Sequence, residues 1–196
     1  MSVKDEFLSV YGEHIKREGA DKLKEYLIKS DFFTAPASTR YHCAYEGGLA
    51  EHSLNTYKRL VRNMQAEYGD EWEQHFSREC IAICGLLHDV CKIEYYKTDT
   101  KNVKVDGAWQ TVPYFRREEK LPYGHGEKSV YIINGFLRLD RTEALAINWH
   151  MGGFDARLTG GTVSEAFSLS PLIPLLHVSD LQATFIDERR SNKHDA

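Results

Sequence analysis

The stretch Leu86-Leu87-His88-Asp89-Val90-Cys91-Lys92 limits what this chain can fold into more than any other. It closes an apolar run of Ile81, Ala82, Ile83, Leu86 and Leu87, a density that predicts a buried helix. An imidazole and a carboxylate at the inner end of such a helix are costly to desolvate unless something compensates them. A divalent cation is the strongest compensation available. Imidazole suits transition metals, and carboxylate suits harder ions as well. The helix is predicted from about Ser77 to Val90, with Ile81, Cys84 and Leu87 at the helical interval. Consecutive helix residues point about 100° apart, so His88 and Asp89 face different ways. The two carboxylate oxygens of Asp89 can still hold one ion and reach a second. An isolated His-Asp pair is equally well explained by a hydrogen bond at a helix end, so the surrounding chain decides.

Upstream, residues 3–18 and 20–29 place Phe7, Leu8, Tyr11, Ile15, Leu23, Tyr26, Leu27 and Ile28 at helical spacing. They predict two short amphipathic helices, within residues 1–37, that pack on the domain. His14 reads as a surface residue there. An irregular connection leads to His42. Gly47-Gly48 then frees the backbone before a long helix over about 48–67, whose apolar side is Leu49, Leu54, Tyr57, Leu60, Val61 and Met64. His52 lies one turn into that helix on the core side, where it needs a partner. Residues 65–76 are polar, and His75 reads as solvated.

Downstream, residues 103–112 alternate around Asp106-Gly107, a strong hairpin signal. A small β-hairpin near 101–113 is therefore expected in an otherwise helical chain. Two readings of it stand open: a substrate flap carrying Lys101, Lys104, Arg116, Arg117 or Lys120 toward phosphate, or a solvated hairpin. Gly124-His125-Gly126 opens a helix over about 127–138, and a second, about 141–150, ends at His150. Residues 154–168 read as irregular. Ser170-Pro171 starts the last main helix, in which Leu172, Leu175, Leu176, Val178 and Leu181 are expected to be buried. Asp180 sits inside that apolar stretch and needs a partner, while His177 reads as a packing residue. The charged tail from Asp187 to Ala196, with His194, is expected to fray.

Composition narrows the class. At 196 residues, 42% hydrophobic and 28% charged, the chain suits one globular domain. Its net charge of −4 gives no general pull toward nucleic acid, so such contact would need a local basic patch. No apolar stretch is long enough to span a membrane, and the first residues lack a signal-peptide pattern. Cys43, Cys80, Cys84 and Cys91 form no Cys-x-x-Cys pair and read as reduced, buried thiols of a cytoplasmic protein. No phosphate-binding Gly-rich loop, dinucleotide fingerprint or nucleophile elbow is present.

The histidines stand in recurring company: Tyr41-His42-Cys43-Ala44-Tyr45-Glu46-Gly47-Gly48-Leu49-Ala50-Glu51-His52-Ser53, then the His88-Asp89 pair, Gly124-His125-Gly126-Glu127-Lys128-Ser129, Asn148-Trp149-His150 and His177-Val178-Ser179-Asp180. This order, His…His-Asp…His…His…Asp, resembles the HD superfamily of metal-dependent phosphohydrolases over roughly residues 38–188. It looks most similar to bacterial and phage HD proteins related to the HD domain of certain 3′–5′ exoribonucleases. The resemblance implies an all-α HD-domain helical bundle over the whole chain. It implies His52, His88, Asp89 and Asp180 around one divalent ion, with His125 and His150 on a second that Asp89 bridges. Mn, Fe, Co, Ni, Zn or Mg would serve, and a hydroxide held between the two ions would attack phosphorus. Lys92 would act with Asp89 in catalysis, while His42, Glu127, Lys128 and Arg116 would bind substrate. The implied partner is a nucleotide or short oligonucleotide. No membrane contact or obligatory protein partner is evident, and an oligomer is possible. Two other readings share the fold: a di-iron oxygenase and a non-catalytic nucleotide sensor. The exoribonucleases carry an oligonucleotide/oligosaccharide-binding domain ahead of the HD domain. The residues before His42 are too few and too helical to supply one, which favours a small substrate.

Overall fold

Gly47, held at φ +82, turns the chain into α3 (Gly48–Tyr68), the longest of the described helices. The structure is a computed structural model that describes residues 1–157 and 161–188. Ahead of α3 come α1 (Val3–His14) and α2 (Ala20–Lys29). After it come α4 (Arg78–Leu87), α5 (His125–Asn134), α6 (Arg141–Trp149), α7 (Thr162–Leu169) and α8 (Leu172–Gln182). Between α4 and α5 the strands β1 (Tyr96–Val105) and β2 (Ala108–Arg117) form one antiparallel ribbon. The fold is thus mostly α with a β-hairpin inserted.

α4 is buried on every side from Cys80 to Leu87, as a helix apolar all round must be. Ser77 caps its start, accepting from Cys80 N–H at 3.1 Å. It packs against α1, α3 and α6, while α8 packs against α3 and α6. The two N-terminal helices belong to the same core, since Phe7, Tyr11, Leu23 and Leu27 are all buried. Their connection is fastened by charge. Arg17 donates to both oxygens of the buried Glu143 on α6, at 2.7 Å each. Glu79 on α4 accepts the backbone N–H groups of Lys16 and Arg17.

Several sequence expectations change. α4 stops at Leu87, three residues before the predicted end, because the chain turns at His88 and Asp89 into a short 3-10 turn over Val90–Lys92. The ribbon is longer than expected, with ten register pairs from Tyr96↔Arg117 to Val105↔Ala108. The added pairs join Tyr96, Lys97, Thr98 and Asp99 to Tyr114, Phe115, Arg116 and Arg117, a mixed set without the regular apolar–polar alternation that marks a strand. Residues 162–169, expected to be irregular, form α7. Val178 is exposed and not buried. His14 packs its ring against Tyr57, so it is not a plain surface residue. The tail does not fray at Asp187. Arg59 Nε donates to Asp187 at 2.6 Å, and Glu188 is buried. His194 and the rest of the expected tail lie outside the described residues. The four cysteines are free and buried, and no described helix is long and apolar enough to cross a membrane.

Candidate metal centre

His88 and His150 are positioned by one device. Each directly follows a helix, α4 or α6, and keeps helical backbone angles. Each ring folds back so that Nδ1–H donates to the carbonyl three residues earlier, Gly85 O at 3.0 Å and Ile147 O at 2.7 Å. That bond selects the tautomer and leaves Nε2 with a lone pair directed off the helix end. His52, in the second turn of α3, achieves the same with a different acceptor. Its Nδ1 donates to Glu188 Oε1 at 2.9 Å, and Asn55 steadies that oxygen from 3.3 Å.

The hub is Asp89, whose backbone (φ −108, ψ 16) lies in the sparsely allowed bridge region. Its Oδ1 sits 2.7 Å from His125 Nε2 and 3.6 Å from His150 Nε2. Its Oδ2 sits 3.4 Å from His52 Nε2, 3.6 Å from His88 Nε2 and 2.6 Å from Lys92 Nζ. Asp180 joins from α8, 3.2 Å from His52 Nε2. His125 and His150 meet because α5 and α6 touch backbone to backbone. A Cβ on Gly126 would stand 2.3 Å from Asn148 O, so only glycine permits the approach that puts the two rings 5.2 Å apart.

Charge is distributed unevenly across the cluster. Burial pushes His52 down, but Glu188 and Asp180 outweigh it and hold the ring up at about 10. Burial takes His88 down to about 3, and the nearby Asp89 does not offset it. Burial also opposes ionisation of Asp89, yet Lys92 and His88 hold it well below the carboxylate range. Asp180 is likewise held low against burial, chiefly by His52. Burial disfavours the Lys92 ammonium, and Asp89 more than restores it.

These residues suit a cation. His88 Nε2 and His52 Nε2 face each other at 3.3 Å, and two lone pairs cannot do so without a proton or an ion between or beside them. His150 Nε2 is buried and has no hydrogen-bond partner among the described residues. Three sets, His52–His88–Asp180, His88–Asp89–His150 and Asp89–Cys91–His125, each bring their donor atoms within 4.8 Å of one another. Imidazole nitrogen with carboxylate oxygen is the donor chemistry of divalent transition metals. Access is one-sided. The side chains of His52, His88 and His150 are 1%, 0% and 0% exposed, whereas those of Asp180 and His125 are 15% and 30% exposed. A substrate would therefore approach between α5 and α8.

The remaining expected residues divide. His42 lies beside the cluster, its ring 4.8 Å from that of His52 and tilted 50° to it. Burial first, then His52, takes His42 down to about 4, and its Nε2 has no hydrogen-bond partner among the described residues. Arg116, Glu127 and Lys128 are engaged elsewhere. Arg116 pairs with Asp99 and Glu118 on and beside the ribbon. Glu127 caps α5 through Gly124 N–H and faces Arg157. Lys128 pairs with Glu119 at 2.7 Å over the Tyr95 ring. None of the three is hydrogen-bonded to the cluster. His177 donates from Nδ1 to His150 O at 2.7 Å and rests on Phe167, so it braces the turn after α6.

Two neighbours escaped the sequence reading. Glu188 lay in an apparently solvated charged run, with no local pattern to mark it. Cys91, read as a packing thiol, has Sγ 3.5 Å from both His125 nitrogens and 3.9 Å from Asp89 Oδ1. Its place two residues after Asp89 was the available signal.

A protein-family model described as HD domain matches residues 49–180, from the first turn of α3 to Asp180. No curated protein and no solved structure matches the chain.

Proposed function

The chain belongs to the HD domain family, and from that premise we propose that it hydrolyses phosphoric esters of a nucleotide or short oligonucleotide, with two divalent ions per chain. One observation carries this reading. Imidazole Nε2 atoms from four elements converge on the two oxygens of one buried carboxylate, Asp89, and the Nε2 of His150 is left without a hydrogen bond among the described residues.

In this reading His52, His88, Asp89 and Asp180 hold one ion, and Asp89, His125 and His150 hold the other. When bound, such ions polarise a phosphoryl oxygen and make a coordinated water acidic enough to attack near neutral pH. The protein supplies the rest. Gly85 O, Ile147 O and Glu188 keep three rings in the tautomer that presents Nε2 inward. The two sides of Asp89 face the two ligand sets, so its carboxylate can serve both. Lys92 Nζ, 2.6 Å from Asp89 Oδ2, is a fixed positive charge beside the place where phosphoryl oxygens gain negative charge. His42 is neutral near pH 7, so its ring can donate a hydrogen bond to substrate without adding charge.

The test is release of phosphate or nucleoside from mono-, tri- and cyclic nucleotides, short oligonucleotides and bis(p-nitrophenyl) phosphate. Mn²⁺ is added, and metal content is measured in parallel. Release by the wild type is expected to stop with EDTA. Asp89→Asn is expected to lose over about 100-fold of it, a loss of more than ~2.7 kcal/mol. No turnover by metal-loaded protein would overturn the hydrolase reading. Iron-dependent dioxygen uptake in its place would replace it with the oxygenase.

A further inference from the structure

The ribbon is hard to explain as a piece of the fold. Nearly all of its strand residues are exposed or only half-buried. A two-stranded hairpin alone is marginal in water, and this one extends ten pairs while covering no core. Its charge also departs from the rest of the chain. Between Tyr96 and Arg117 stand five cations, Lys97, Lys101, Lys104, Arg116 and Arg117, against Asp99 and Asp106, in a chain of net charge −4.

Register sorts these charges by face. Directly paired residues share a face, and alternate residues along a strand do too. Tyr96, Lys104, Trp109 and Arg117 therefore lie on one face, through the pairs Tyr96↔Arg117 and Lys104↔Trp109. Among the paired positions that face holds no carboxylate, and its remaining positions are Thr, Asn, Pro and Phe; Asp106 lies outside the register, in the turn. Asp99 lies on the other face, opposite Tyr114, and forms an ion pair there with Arg116 at 3.2 Å. Near the free end, Trp109 is 73% exposed beside its partner Lys104. An exposed indole next to a cation on an acid-free strip matches a polyanion that carries flat rings. Single-stranded nucleic acid has that chemistry, since bases stack on aromatic side chains and phosphates follow the positive charge.

The base of this face starts a short way along the chain from the metal centre. Tyr96 stands four residues after Lys92, whose Nζ is 2.6 Å from Asp89 Oδ2, and donates from its hydroxyl to Ala37 O at 3.3 Å. Tyr96, Thr98 and Phe115 border a groove that also holds Asp31 and Glu46. From Tyr96 to Lys104 a strand runs about 27 Å at its usual rise. A mononucleotide cannot reach both ends of that span, whereas a strand of several nucleotides can.

We propose that the acid-free face of the ribbon, with Trp109 and Lys104 near its free end, binds single-stranded nucleic acid whose terminal phosphodiester lies at the Asp89 cluster. The proposal rests on the phosphohydrolase reading and narrows its substrate to oligonucleotides.

The test separates the two readings. Anisotropy of fluorescein-labelled dT12 and U12 is measured on the full chain in EDTA, where no turnover is needed, at two salt concentrations. Hydrolysis of bis(p-nitrophenyl) phosphate is measured separately with Mn²⁺. Wild type is expected to bind at least one strand, more weakly at high salt, with quenching of Trp109 fluorescence. Trp109→Ala is expected to weaken binding about tenfold, and Lys104→Ala to lower the salt slope by about one. Both variants should hydrolyse the small diester at the wild-type rate. Absence of binding, equal binding by the variants, or equal affinity for a blunt duplex would each overturn the proposal. So would a dimer held through the ribbon that is lost in Trp109→Ala, since a second copy would then be the occupant. Loss of small-diester hydrolysis with strand binding intact would instead strike the hydrolase reading.

Discussion

Around Asp89 almost every polar atom is held by another part of the chain, whereas along the ribbon few are held by anything beyond it. The cluster draws His52, His125 and Asp180 from within α3, α5 and α8, and His88 and His150 from the ends of α4 and α6. The ribbon needs only its own register. The first is specified by long-range packing and tolerates little change. The second is specified locally, so its side chains are free to vary with whatever they meet. If the cluster is catalytic and the ribbon binds substrate, as proposed, chemistry and recognition would come under separate structural control.

Crowding the contact between α5 and α6 should break the first region most. Gly126→Ala sets a methyl against Asn148 O at 2.3 Å, forcing apart the helices that carry His125 and His150. A loss of about 2–3 kcal/mol is expected in chemical denaturation, together with weaker metal binding. Gly107→Ala in the ribbon turn meets open space at φ +84 and should cost only about 1 kcal/mol. Equal costs at the two glycines would erase the contrast. Next in size is Glu188→Gln, which keeps the shape of the carboxylate that steers His52. Calorimetric titration with Mn²⁺ or Zn²⁺ should show affinity falling about 10–100-fold with little change in melting temperature. Unchanged affinity would reduce Glu188 to a packing residue.

A smaller effect is expected at Glu79, which fastens the link between α1 and α2 to α4. Burial alone would raise its carboxyl, but the N–H groups of Lys16 and Arg17 and the Arg17 guanidinium hold it below 4.5. A carboxyl depressed on folding stabilises above its unfolded pKa, and that stability is lost as pH falls through the folded value. Glu79→Gln should therefore melt lower than wild type at pH 7, by up to about 1 kcal/mol. The gap should close on acidification below about pH 4. A constant gap would assign the effect to shape and not charge. Smallest of all, replacing residues 99–114 by a short Gly-Ser link should move the melting temperature by no more than about 2 °C, since those residues cover no core. A large drop would show that the ribbon belongs to the fold after all.

The same contrast governs what could be read from the chain itself. α3, α4 and α8 announce themselves by apolar spacing, and the hairpin by Asp106-Gly107. The residues drawn into the cluster carry recognisable types in a recognisable order, and the structure brings His52, His88, Asp89, His125, His150 and Asp180 together. What escaped was set by tertiary contact. α7 is a short helix without a strong stripe, and α4 ends early because His88 and Asp89 must turn inward. Glu188 owes its role to burial against His52, which a charged run does not advertise. Arg116, Glu127 and Lys128 were plausible by type and position, but each has a nearer carboxylate or backbone partner. Adjacency in sequence could not reveal that competition.

The bond between His52 and Glu188 joins residues 136 positions apart. Chains are made from the N-terminus at about 5–20 residues per second, so His52 waits on the order of 10 s for the carboxylate that orients it. Through that interval α3 can form, yet its imidazole lacks the partner that presents Nε2 inward. If the cluster takes up metal as proposed, the site would be finished only after all six donors have been made, and a nascent chain that stops short of Glu188 would have no finished site in which to trap the wrong ion.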